Sequence, residues 1–136
     1  MKAHGKTGET ALLLAARYNH NPGVITTLLQ AGADINTRDA DGDTALMFSG
    51  CNQNPEVITT LLNAGADIKA RNKKGSTALM WAAMNNPNLE AITILVKAGA
   101  DTKAKDNAGD TAFDYAQYNT WLKVSDIEQQ LQKASR

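Results

Sequence analysis

The sequence predicts an all-α solenoid in which helix-turn-helix units stack side by side and β-hairpin loops project between them. Two recurrent strings carry that reading. Gly-x-Thr-Ala occurs at Gly8, Gly42, Gly75 and Gly109, spaced 34, 33 and 34 residues apart. Ala-Gly-Ala-Asp runs in phase with it from Ala31, Ala64 and Ala98. A near-constant period of this size marks one supersecondary unit copied along an axis. Composition is the third observation: 43% of the 136 residues are hydrophobic but only 5% are aromatic, so the core is built from Ala, Leu, Ile and Val. A stack of this kind is held by nearest-neighbour contacts and offers an extended surface, not a closed pocket.

The first unit sets the pattern. Thr10 is a candidate N-cap, because its hydroxyl can accept from an unpaired backbone N–H of the first turn. The apolar run Ala11-Leu12-Leu13-Leu14-Ala15-Ala16 that follows is a short helix that must lie between other elements. Asn21-Pro22 opens a second helix, with Asn as the cap and Pro at the first helical position. Within it Ile25, Leu28 and Leu29 form an inward stripe, while Thr26, Thr27 and Gln30 face out. Gly32 stops the helix in a left-handed conformation. The polar stretch 34–42, anchored by Ile35, then reads as a projecting hairpin or loop leading to the next cap at Thr44.

Later copies repeat these parts. Ile58, Leu61 and Leu62, then Ile92, Leu95 and Val96, restate the stripe. Asn54-Pro55 restates the helix opening. In the third copy the opening falls at Asn88-Leu89-Glu90, with Asn86-Pro87 lengthening the turn before it. The first and third copies therefore carry one extra residue between their helices, which explains the period of 34. Leu14, Phe48, Trp81 and Tyr115 share one place in the unit and read as stacked core residues. After Gly109-Asp110-Thr111-Ala112-Phe113 the pattern fades. Ser125 to Glu128 has capping-box spacing, and Ile127 and Leu131 form a narrow stripe, as suits the polar-faced last helix of a stack.

These strings resemble the ankyrin repeat family, whose usual unit reads Gly-x-Thr-Pro-Leu-His-x-Ala-Ala and later Leu-Leu-x-x-Gly-Ala-Asp-Val-Asn. The matches here are Gly8-Glu9-Thr10-Ala11-Leu12-Leu13-Leu14-Ala15-Ala16 and Leu28-Leu29-Gln30-Ala31-Gly32-Ala33-Asp34-Ile35-Asn36. They recur in register through Gly42 to Leu46 and Gly75 to Leu79. Ala replaces the family's Pro after Thr, and Leu13, Met47, Met80 and Asp114 replace its His, which removes a side-chain hydrogen bond. The resemblance implies a single ankyrin-repeat domain over residues 1–136, with repeats at about 5–38, 39–71 and 72–105 and a C-terminal cap at 106–136. Lys2 to Gly8 aligns with Lys69 to Gly75, so the chain is expected to begin inside a hairpin, as the C-terminal part of a longer repeat protein.

Catalytic and ligand chemistry is sparse. Gly5-Lys6-Thr7 echoes the end of a phosphate-binding loop but lacks the loop's first glycine and the preceding strand. Asp39-x-Asp41-x-Asp43 opens like a calcium loop, yet Thr44 and Gly50 stand where the turn glycine and closing Glu belong. Those carboxylates read as solvated, and no metal or cofactor is expected. His4 and His20 lie apart, and Cys51 has no obvious base, so no catalytic triad is expected. Cys51, as the only cysteine, excludes an internal disulfide and is expected to be reachable by oxidants. No apolar run is long enough to span a membrane. Fourteen basic and fourteen acidic residues cancel, which argues against nucleic acid and anionic membrane.

The resemblance implies a non-catalytic module that binds another protein through a concave face of hairpin tips and first helices. Carried onto this chain, that face comprises Glu9, Arg17 and Tyr18, then Arg38, Ala40, Asp41, Asp43, Cys51 and Asn52. Arg71, Lys73, Lys74, Ser76, Met84 and Asn85 continue it, and Lys105, Asn107, Asp110, Tyr118 and Asn119 close it. Tyr18, Met84 and Tyr118 are the natural anchors. Asp34, Asp39, Asp41 and Asp43 make the first complete hairpin acidic, and Lys69, Arg71, Lys73 and Lys74 make the second basic, a polarity able to orient a partner. A cytoplasmic monomer is expected. The competing expectation is a structural spacer, or a fragment whose activity lies in another domain.

Overall fold

Short apolar runs bounded by caps and glycines yield the expected pairs of helices. The computed structural model describes residues 4–86 and 89–118, with side chains from Thr10 onward. The elements are α1 (His4–Tyr18), α2 (Pro22–Gln30), α3 (Ala45–Ser49), α4 (Glu56–Asn63), α5 (Ala78–Asn85), α6 (Leu89–Lys97) and α7 (Ala112–Ala116). The first helices α1, α3, α5 and α7 pack in sequence as one layer, and α2, α4 and α6 pack as the other. Between the layers lie Leu12, Leu46 and Leu79 from the first helices and Ile25, Ile58 and Ile92 from the second, all fully buried. Val57 and Leu61 of α4 are buried, whereas the corresponding Val24 and Leu28 of α2 are only half-buried. An inner unit is sheltered on two flanks and the first described unit on one.

Local chemistry fixes the helix ends. Thr44, Thr77 and Thr111 accept from the backbone N–H groups of Met47, Met80 and Asp114. Asp114 reciprocates by accepting from the Thr111 N–H at 2.8 Å, completing a capping box. The family's His position, otherwise filled by the buried Leu13, Met47 and Met80, thus becomes a cap partner in the last unit. Each second helix ends on a left-handed glycine, with φ of 105°, 97° and 104° at Gly32, Gly65 and Gly99. There the N–H groups of Ala33, Ala66 and Ala100 return to the carbonyls of Leu28, Leu61 and Leu95.

The chain start departs from expectation. Thr10 is not a cap, and residues 4–8 are not a hairpin: α1 runs from His4 through both. In the other loops a side-chain acceptor fastens the turn. Asp39 Oδ1 accepts from the N–H groups of Asp41 and Asp43, Asn72 Oδ1 from those of Lys74 and Ser76, and Asp106 Oδ1 from those of Ala108 and Asp110. The corresponding residue in the first unit is Gly5, which has no such acceptor. Without the clamp the backbone continues as helix.

The loops are hairpins of minimal extent. Among the described residues there is no strand, and the one isolated bridge pairs Arg38 with Thr44. The extra residue of the longer units also sits elsewhere than expected. In the sequence Asn19, Asn52 and Asn86 each stand two residues before the Asn of the second-helix opening, and in the first two units that Asn, Asn21 or Asn54, accepts from the N–H group two residues on. The addition lies before them, in the first helix: α5 has 8 residues and α3 has 5.

Candidate functional site

The expected surface divides into side chains that join the units and side chains left over. Asn52 is fully buried, and its Nδ2 donates to the carbonyls of Ala16 at 2.9 Å and Asn19 at 2.8 Å in the preceding unit. Asn86 does the same toward Gly50 and Asn52 at 2.8 and 3.0 Å. These carbonyls end a helix or follow one, where no intrahelical partner exists. Asn52 therefore offers a partner no surface. Its signal is in the sequence as the recurring Asn-x-Asn at 19, 52 and 86, whose second Asn reads as the helix opening while Asn52 reads as part of the concave face.

A second ladder runs along the loops. Arg38 donates to the carbonyls of Gly42 and Arg71 at 3.0 and 2.8 Å, and Arg71 to those of Gly75 and Lys105 at 3.3 and 2.7 Å. Backbone bonds from Lys73 to Asp41 and from Asn107 to Lys74 run alongside. Asn72 Nδ2 donates to Asp43 Oδ1 at 2.8 Å, and Asn107 Nδ2 to the Lys73 carbonyl at 2.9 Å. Both arginines remain exposed, but one guanidinium nitrogen of each, Nη1, is committed to the stack.

Asp43 corrects the picture of a solvated acidic triplet. The carboxylates of Asp39, Asp41 and Asp43 lie within 4.8 Å of one another, yet Asp43 is buried, Asp39 is half-buried and only Asp41 is exposed. Burial pushes the Asp43 carboxyl above its ordinary range, against the lowering effect of the Asn72 bond, and the charges of Asp39 and Asp41 add to the rise. Ser76, in the matching place of the next loop, is buried too. In the last described loop the Tyr115 hydroxyl donates to Asp106, which holds that carboxyl below its ordinary range and pushes the phenol up to about 12.

What remains outward is concentrated on the first helices. Leu14 is 54% exposed, which corrects its expected place in the core, and Tyr18, Met84 and Tyr118 are 65%, 42% and 82% exposed. Phe48, Trp81 and Tyr115 are half-buried, packed against the core on one side only. Phe48 meets Trp81 edge to face with centroids 5.3 Å apart. Every described aromatic residue lies on a first helix or just beyond its end, and none on a second helix or a loop.

Beside the aromatics, Arg17, Tyr18, His20, Cys51, Gln53 and Asn85 line an open depression of about 360 Å³. Cys51 is half-buried there, and burial pushes its thiol up, with Arg17 and Asn85 opposing. A thiol held in its protonated form is a weak nucleophile, so the expected ease of oxidation is not favoured. On the loop side Asp41, Lys73, Lys74, Lys105 and Asn107 are exposed, and Asp110 is half-buried. The Glu9 side chain and all of Asn119 lie outside the described residues, as do the Asn88 cap and the Ser125 to Glu128 capping box. No helix among the described residues is long and apolar enough to cross a membrane.

One comparison with known proteins bears on this arrangement. A family model described as ankyrin repeats, in three copies, matches residues 1–72 and again 65–127.

Proposed function

We propose, from the premise that this chain belongs to the ankyrin repeat family, that it binds a protein partner across the face made by its first helices and loop tips. Ankyrin repeats are generally protein–protein interaction modules, and the family is typically non-catalytic. The segregation of the aromatic side chains to one layer carries the reading. Leu14, Tyr18, Phe48, Trp81, Met84, Tyr115 and Tyr118 leave apolar area uncovered along the stack, while the second helices turn Thr26, Thr27, Gln30, Thr59 and Asn63 to solvent. Uncovered aromatic and long apolar side chains rimmed by polar groups are the usual material of an interface centre. Exposed Asp41 on one loop tip, beside Lys73 and Lys74 on the next, supplies the rim and a polarity able to fix a partner's orientation.

Peptides selected from a displayed random library on the immobilised protein test this. Tyr18→Ala and Met84→Ala are the clean probes, because both side chains are exposed. Each should weaken selected binders by about tenfold, a loss of about 1.4 kcal/mol typical of an interface anchor. Lys73→Glu with Lys74→Glu should weaken those carrying acidic residues, whereas Arg71→Glu would also break the loop ladder and is uninformative. Gln30→Ala and Asn63→Ala on the second helices should change nothing. Loss confined to the second-helix variants would place the interface on the opposite layer.

A further inference from the structure

Among the described residues there are three arginines, and one of them is used differently from the others. Arg38 and Arg71 donate to loop carbonyls of the next unit. Arg17 lies with its guanidinium carbon 5.4 Å from the centroid of Tyr18 and 5.8 Å from that of Phe48. It makes no ion pair or hydrogen bond within the described residues. A guanidinium held against two rings keeps its planar fork pre-oriented, and is more weakly hydrated than an ammonium.

The surroundings suit an anion. The depression that Arg17 lines also takes in Tyr18, His20, Cys51, Gln53 and Asn85, and none of these is a carboxylate. Tyr18 and Gln53 bring further O–H and N–H donors, while the Asn85 Nδ2 already donates to the Trp81 carbonyl at 3.3 Å. Carboxylates elsewhere in the molecule are engaged differently: Asp34, Asp67 and Asp101 each accept from a backbone N–H two residues on, within their own loops. We infer that this depression reads a carboxylate, taking an Asp or Glu side chain of the bound partner onto the Arg17 fork as its neighbours pack on Tyr18 and Phe48. The inference rests on the interface reading above and adds to it the chemistry of one subsite. Bidentate pairing of this kind contributes geometry as well as energy, so it would set register along an otherwise apolar strip.

The test uses the same library selection on the whole chain. Recovered peptides should be enriched in Asp or Glu beside an apolar residue. A chosen glutamate peptide and its glutamine counterpart are then titrated against the wild type, Arg17→Met and Arg17→Lys. Glutamine should weaken binding at least tenfold on the wild type, less than twofold on Arg17→Met, and by an intermediate factor on Arg17→Lys, which keeps the charge but loses the fork. C-terminal amidation of the peptide should change affinity less than twofold. Peptides that depend on Tyr18 and Met84 yet show equal glutamine losses on wild type and Arg17→Met would overturn this subsite and leave the interface standing. Coupling of Arg17 to the free C-terminal carboxylate, seen as an affinity loss on amidation that Arg17→Met abolishes, would also overturn the side-chain assignment. Absence of any binder sensitive to Tyr18→Ala or Met84→Ala overturns both readings.

Discussion

A buried carboxylate in a loop is costly unless something answers its charge, and Asp43 is answered only by an amide. Asn72 Nδ2 meets Asp43 Oδ1 at 2.8 Å, while Asp39 and Asp41 stand close by with like charge. The folded-state pKa is therefore raised, so the folded chain binds a proton more readily than the unfolded one. Stability from this group is present at acidic pH and is lost as pH rises through the folded value. At neutral pH Asp43 is a liability that an amide would remove while keeping the oxygen Asn72 needs. Asp43→Asn should raise the Tm at pH 7, with the gain fading as pH falls through the raised folded value and gone below the ordinary carboxylate value. A thermal melt series across pH checks this, and a variant equally stabilised at acidic and neutral pH would contradict the charge argument. Asp106 has the opposite sign: its lowered carboxyl contributes stability above the ordinary value and loses it as pH falls through the folded one.

At the scale of the element, glycine positions separate two costs that the sequence writes with the same letter. Gly65 and Gly75 both sit at positive φ, 97° and 78°. Around Gly65 a Cβ would meet nothing within 4 Å, so alanine there bears backbone strain alone. At Gly75 the same atom would come 2.7 Å from Asn107 Oδ1 and 3.0 Å from Asn107 N, on the residue whose Nδ2 and backbone N–H dock the next loop on the Lys73 and Lys74 carbonyls. Gly65→Ala should cost about 1 kcal/mol and Gly75→Ala about 2–3 kcal/mol, the difference being the displaced loop contact. Urea unfolding of the pair measures it. Equal costs would mean that the Asn107 contact contributes nothing beyond local strain.

For the whole molecule, stability resides in what passes between units. The apolar layers provide most of it, but the buried asparagines decide how closely successive first helices can register. Asn52→Ala leaves the buried Ala16 carbonyl, and the part-buried Asn19 carbonyl, without their donor. It should therefore cost about 2–4 kcal/mol. Asn54 also bridges to the first unit, through the His20 carbonyl at 2.7 Å, but in an exposed setting where water replaces it. Asn54→Ala should cost no more than about 1 kcal/mol from that bond. Chemical denaturation of both variants compares them, and a cost at Asn52 no larger than at Asn54 would remove the inter-unit ladder from the account.

The sequence by itself determined the repeat, the pairs of helices, the Thr caps at 44, 77 and 111, and the left-handed stops at Gly32, Gly65 and Gly99. Each of these depends on chemistry within a few residues, which periodicity displays directly. It also placed Tyr18, Met84 and Tyr118 on the outside. Tertiary structure decided that Asn52, Asp43 and Ser76 turn inward, that Arg38 and Arg71 bind the stack, and that Arg17 is left between two rings facing open space. It likewise made α1 run through Thr10, where Gly5 lacks the acceptor that fastens the other loops. A polar side chain in a repeat faces either water or a neighbouring carbonyl, and that carbonyl lies a whole unit away along the chain. Local pattern cannot show which, because the choice is made only when the units meet.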